Sequence, residues 1–192
     1  MRDAEGTKTR ILAAATGEYA QHGIAGARVD RIADAASTSK AQLYSYFGNK
    51  EALFDAVFAA HVVANVDGVP LTADDLPGYT VRLYDAYLRD PALIRLVTWA
   101  RLERTPTGNL FGDLARYDDK NLRALADAQA EGLLVPDVEP AELWAMLIAL
   151  AGTWAQAAVV HAADSSEAES VHDRRRRALA DTTRRAFCTG PS

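Results

Sequence analysis

VDRIADAASTSKAQLYSYFGNKEAL, residues 29–53, decides how the rest of the chain is read. Val29, Ile32, Ala33 and Ala36 recur at helical spacing, Ser37-Thr38-Ser39 interrupts them, and the period restarts at Leu43 and Phe47. Two short helices joined by a tight turn form a helix-turn-helix, whose second helix lies in the DNA major groove and offers its first turn to base edges. Ser39, Lys40 and Gln42 stand at that leading turn, while Leu43 and Phe47 are spaced to hold the helix against its domain.

Upstream, residues 1–8 are polar and expected to fray. A helix over 9–22 places Ile11, Leu12, Ala15 and Tyr19 on one face, and Gly23 is expected to stop it. With the motif helices at 29–36 and 39–46 this makes a three-helix unit. Downstream, Gly48-Asn49 ends one helix and caps the next, over 50–66. That fourth helix has two apolar faces, Leu53, Val57, Ala60 and Ala64 on one, Phe54, Phe58, His61 and Asn65 on the other, so it is expected to sit between two packed bodies. Further helices are expected at 73–89, 91–104, 109–131, 140–162 and 166–187, separated by Pro- and Gly-containing breakers. The pattern is all-α, with nine helices, no internal repeat and no strand-like alternation.

Composition bounds the function. A hydrophobic share of 49% over 192 residues supports a substantial core. The net charge of −5 argues against nucleic acid as a bulk property, but residues 1–50 carry +2 and the remainder −7. The single Cys188 excludes an internal disulfide and suits a reducing compartment. No basic-then-apolar leader opens the sequence, so a cytoplasmic protein is expected. Residues 143–163 carry no charge over a span that could cross a bilayer, yet Ala, Gly152, Thr153, Gln156 and His161 supply too little transfer energy, and no membrane partner is expected. His22, His61, His161, His172 and Cys188 lack paired metal-ligand spacing, and no phosphate loop, nucleophile elbow or compact Ser/His/Asp set is present. No metal, cofactor or catalytic residue is therefore assigned. Arg174 to Arg177, consecutive in a helical pattern beside Asp173 and Asp181, point in different directions and read as ordinary helix charge, not as a localisation signal or a second nucleic-acid patch.

The residues Ile32-Ala33, Ala36, Ser39-Lys40, Leu43-Tyr44, Tyr46-Phe47 and Lys50-Glu51-Ala52-Leu53 together resemble the DNA-binding signature of the TetR family of transcriptional regulators. The chain departs from that signature at three points: Ser37 stands where the family usually has Gly, Thr38 where it has an apolar residue, and Arg28 where it often has a capping Thr. Ser37 must then take a left-handed conformation or shift the turn. Arg28 gives up a cap and gains a cation for a phosphate.

The resemblance implies a three-helix DNA-binding domain at 1–48 and a helical ligand-binding and dimerisation domain at 49–192, the whole acting as a repressor released from a palindromic operator by an apolar or aromatic effector. Arg28, Ser39, Lys40, Gln42, Tyr44, Tyr46 and Lys50 are the DNA candidates. Phe58, His61, Asn65, Tyr84, Trp99, Asn121 and Trp144 are the effector candidates. Trp99 stands beside Arg95 and Glu103, off the apolar face of its helix, so either it is partly exposed or it faces a second buried surface, which a ligand cavity would supply. A helix over 140–162 would be apolar on two sides, and with the last helix it would form a four-helix bundle across a two-fold axis through Leu147, Ala151, Trp154, Ala155, Leu179, Thr183 and Ala186. The alternative is a helical small-molecule-binding protein or enzyme without specific DNA binding.

Overall fold

A computed structural model describes residues 2–108, 110, 115–155 and 158–190, apart from the side chains of 2, 3 and 115–118. Among them nine α-helices follow in order: α1 (Arg2–Gly26), α2 (Val29–Ala35), α3 (Lys40–Phe47), α4 (Lys50–Gly68), α5 (Leu76–Arg89), α6 (Pro91–Glu103), α7 (Ala115–Ala130), α8 (Pro140–Ala151) and α9 (Glu169–Phe187). The all-α pattern holds. The start of the expected 109–131 helix, at 109 and 111–114, lies outside the described residues. Two compact units form, Met1–Ala64 with Ala92–Leu110, and Asn65–Pro91 with Phe111–Ser192.

In the first unit Ile11, Ala15 and Tyr19 of α1 are buried with Ile32, Ala33 and Leu43 of the motif helices and Leu53, Phe54 and Val57 of α4. Tyr19 meets Phe54 edge to face at 5.3 Å, and its hydroxyl donates to the Lys50 carbonyl at 2.6 Å. Helix α1 does not stop at Gly23. It kinks there, at φ 73 and ψ −177, and resumes to Gly26. A kink breaks the i→i−4 ladder and strips polar groups of their helical partners. α6 supplies them. Arg95 Nε and Trp99 Nε1 both donate to the Ala20 carbonyl, at 2.6 and 3.3 Å, while the Glu103 carboxylate accepts from the Ile24 and Ala25 N–H groups at 3.2 and 2.7 Å.

This corrects the reading of Trp99, whose second surface is the kink of α1 and not a ligand cavity. His61 is likewise held inside this unit, its Nε2 within 3.1 Å of Thr16 Oγ1, and Phe58 is buried and stacked on Phe54 at 5.9 Å.

The second unit is built on α5, which packs most extensively on α9 and then on α8, and α8 also packs on α7. Leu76, Tyr79, Leu83, Tyr84 and Tyr87 of α5 are buried with Leu125 of α7, Leu143 and Leu147 of α8, and Leu179 and Phe187 of α9. Thr80 and Thr183 join hydroxyls across this core at 3.0 Å. Leu134 and Cys188 form an isolated bridge, with Val135 N–H donating to the Phe187 carbonyl at 3.0 Å.

The helix expected over 140–162 ends instead at Ala151, followed by a single 3-10 turn, Gly152–Trp154. Gly152 weakens the helix, the Thr153 hydroxyl bonds back to the Leu150 carbonyl at 2.7 Å, and Ala163 N–H returns to the Trp154 carbonyl at 2.7 Å. Val159 and Val160 are fully in solvent, so no burial favours a helix beyond the turn. The expected second apolar row, with Ala155 and Val159, therefore never forms one helical face. Leu147, Ala151, Leu179 and Thr183, assigned to a partner subunit by their spacing, are wholly covered by their own chain and offer it no surface. Trp154 and Ala155 are half-buried and Ala186 is exposed.

Candidate nucleic-acid interface and effector cleft

Helix α2 ends in a Schellman motif: Ser37 N–H donates to Asp34 O at 3.1 Å and Thr38 N–H to Ala33 O at 3.0 Å. The geometry puts the residue after the helix in the left-handed region, and Ser37 occupies it at φ 51. The turn is therefore unshifted, at a conformational cost that glycine would avoid. Ser37→Gly is expected to stabilise the protein by about 0.5–1 kcal/mol, read as a higher urea midpoint with unchanged slope. A lower midpoint would mean the Ser37 side chain makes a contribution larger than its strain.

Ser39 caps α3, its hydroxyl accepting from Gln42 N–H at 3.1 Å. Leu43 is the buried anchor, which leaves Lys40, Gln42 and Tyr44 exposed on the other side. The Thr38 hydroxyl donates to Gln42 Oε1 at 2.7 Å, pre-orienting the amide while its NH2 group and a second oxygen lone pair stay available. Lys40 pairs with Asp30 of α2, both of them solvent-exposed, an arrangement that water makes cheap to break.

The flanking candidates divide. Arg28 is exposed and does not cap α2; Glu18 of α1 accepts from the N–H of Arg28 itself at 2.7 Å and so ties the start of α2 to α1. The same carboxylate takes the Arg31 guanidinium, which holds it below the usual carboxylate range against the opposing effect of burial. Tyr46 is half-buried, edge-on to Phe47 at 6.5 Å with Lys8 Nζ 5.8 Å from its ring centre. Lys50 Nζ donates to the Ala25 and Ala27 carbonyls at 3.1 and 3.5 Å, so it ties α4 to the end of α1 besides any role toward phosphate. Glu18 escaped the sequence reading, and its only signal was an acid one turn from the Gly23 break.

The effector candidates are not brought into one place within either unit. Phe58, His61 and Trp99 belong to the first; Asn65, Tyr84, Asn121 and Trp144 belong to the second. A cleft of about 80 Å³ does open in the second unit, walled by Tyr84, Tyr87, Leu88, Pro91 and Trp154 and closed by Ala155, Ala163, Asp164 and Ser165. Of the effector candidates it takes Tyr84 alone, and it adds Trp154 and Ala155, which the sequence assigned to the subunit contact. Among the described residues no three His, Cys, Asp or Glu side chains converge as metal ligands, and no helix is long and apolar enough to cross a membrane.

A three-helix unit that buries one side of α3 and exposes its capped leading turn defines a helix-turn-helix DNA-binding protein. Residues 11–57 match the family model of bacterial regulatory proteins of the tetR family, and residues 75–185 match that of the tetracyclin repressor-like C-terminal domain. The HTH-type transcriptional repressor SCO4008 of Streptomyces coelicolor is 38% identical over 156 residues, 80% of each chain. The crystal structure of SCO4942 from the same organism, described as a transcriptional regulator, is 41% identical with a TM-score of 0.77, covering 94% of this chain and 98% of the other. AibR, solved with isovaleryl coenzyme A and operator DNA, shares the fold at a TM-score of 0.67 and 16% identity, covering 92% of this chain and 97% of its own. The chain belongs to the TetR family of transcriptional regulators.

Proposed function

We propose that this protein is a cytoplasmic, homodimeric repressor that leaves a palindromic operator when a small molecule binds, with residues 1–48 on DNA and 49–192 holding the effector and the second subunit. The observation that carries the reading is the leading turn of α3, where Ser39 fixes the backbone and Lys40 and Gln42 project into solvent. Support comes from the repressor name borne by SCO4008, and from AibR, a chain of this fold that has been solved with both isovaleryl coenzyme A and operator DNA. The cleft of the second unit sets the aromatic rings of Tyr84, Tyr87 and Trp154 beside the polar Asp164 and Ser165, a mixed lining that can hold a small molecule.

In this reading Gln42 and Lys40 meet base edges, and Arg28, Tyr44, Tyr46 and Lys50 meet phosphates. A gel shift with DNA from immediately upstream of its own gene is the direct test. Salt-sensitive, sequence-specific retardation supports the proposal, and weak binding indifferent to sequence refutes it. Gln42→Ala should relax preference at one position of each half-site, at a cost on the order of 1–3 kcal/mol for the preferred base. An unchanged site preference would remove Gln42 from base reading.

A further inference from the structure

Two walls of the cleft touch one arginine. Arg175 of α9 is 9% exposed; its guanidinium carbon lies 5.5 Å from the Trp154 ring centre and its Nη1 3.4 Å from the Tyr84 hydroxyl. Both terminal nitrogens donate to the Glu167 carboxylate, at 2.7 and 3.0 Å. A guanidinium so covered needs a carboxylate in its fork, because an unpaired buried charge is strongly destabilising. That carboxylate comes from the segment before α9, and its side chain is 25% exposed against 10% for Arg175. The acidic half of the pair reaches solvent, and the basic half lies behind the Tyr84 and Trp154 walls, outside the lining of the cleft, so a ligand reaches it by taking the place of Glu167.

The neighbouring polar groups favour the same type of occupant. Since Tyr84 accepts from Arg175, its hydroxyl hydrogen goes to His172 Nδ1, 2.7 Å away, which places the imidazole hydrogen on Nε2. That Nε2 is buried without a partner, a spare donor in the same network. Asp164 also lines the cleft, its Oδ1 accepting from Ser166 N–H at 2.7 Å, and it would repel a second negative charge. The volume is small beside the roughly 300–1,000 Å³ of drug-sized sites.

We propose that Arg175 anchors the carboxylate of a small monocarboxylic acid, that the acid's flat or branched apolar body lies among Tyr84, Tyr87 and Trp154, and that Glu167 is the internal carboxylate it displaces. This rests on the reading of the second unit as the effector-binding half. One guanidinium fork takes one carboxylate at a time, so ligand and Glu167 compete. Releasing Glu167 also frees its bond from the N–H of Asp164, a lining residue, at 2.9 Å, which gives binding a structural consequence.

The test uses the full chain, with sodium phenylacetate as probe and phenethylammonium chloride as its oppositely charged counterpart, followed by tryptophan fluorescence and calorimetry. Glu167→Gln, which keeps the shape and removes the competing charge, should bind phenylacetate about tenfold more tightly than wild type. Arg175→Lys, checked for folding by circular dichroism, should lose that gain when combined with Glu167→Gln. An unchanged affinity in Glu167→Gln, no phenylacetate binding at millimolar concentration, or a preference for the ammonium compound overturns the proposal, the last by making Asp164 the anchor. Operator binding by Glu167→Gln is measured separately: retained DNA binding with no acid binding sinks this site alone, whereas absent DNA binding in wild type sinks the regulator reading.

Discussion

Gly23→Ala is expected to destabilise the protein by about 3 kcal/mol, which at this chain length lowers Tm by roughly 6–12 °C. Two effects combine. At φ 73 and ψ −177 the backbone lies in a region that is essentially reserved for glycine, costing on the order of 1–3 kcal/mol for any other residue. An added Cβ would also collide with Glu103 Oε1 and stand 2.8 Å from the Trp99 ring. Neither neighbour is free to retreat, since Glu103 holds Ile24 and Ala25 and Trp99 holds Ala20. Gly17→Ala, in the same helix with open space about it, is the control and should be neutral or stabilising by up to about 1 kcal/mol. Equal melting temperatures for the two variants would show that the kink relaxes without cost and that the α6 clamp is dispensable.

That joint shows where sequence reasoning stopped. Arg95, Trp99 and Glu103 were legible as a stripe at i, i+4 and i+8 that the apolar face of α6 could not explain. The glycine eighty residues earlier was legible as a break. Their pairing was not, because hydrogen bonds from side chains to a broken backbone leave no periodicity in either segment. The helix-turn-helix was readable because its signals are local: apolar spacing, a polar turn and a serine cap all fall within twenty residues. The choice at Ser37 between strain and a shifted turn was framed by the sequence and decided by the two Schellman bonds.

The apolar segment after Leu143 misled for the opposite reason. Alanine is compatible with a helix of any length, so the pattern did not say where burial ends, and only the exposed Val159 and Val160 mark that the core has been left behind. Buried polar residues were harder still. His172, Arg175 and Thr183 look like surface positions by type, and their burial depends on partners 88 to 103 residues away in α5.

With Leu147, Ala151, Leu179 and Thr183 turned inward, we propose that the dimer uses the opposite faces of the same two helices. Ala149→Arg is expected to yield monomers by light scattering and to lower operator affinity about a hundredfold or more, since each recognition helix then meets its half-site alone. On α8, Ala141, Ala145 and Ala149 are exposed at i, i+4 and i+8, beside Met146, which remains 49% exposed. On α9, Ala178, Thr182 and Ala186 repeat the same spacing and are also exposed. Small side chains in register on two packed helices let a symmetry mate approach closely, with Met146 supplying the adaptable apolar contact. A guanidinium at 149 would be trapped opposite its own copy near a two-fold axis, where the like charges and the added volume both oppose closure. Ala155, by contrast, lies beyond the end of α8 in the wall of the cleft, so Ala155→Arg should disturb effector binding before assembly. Dimers that persist unchanged in Ala149→Arg would move the subunit contact off α8.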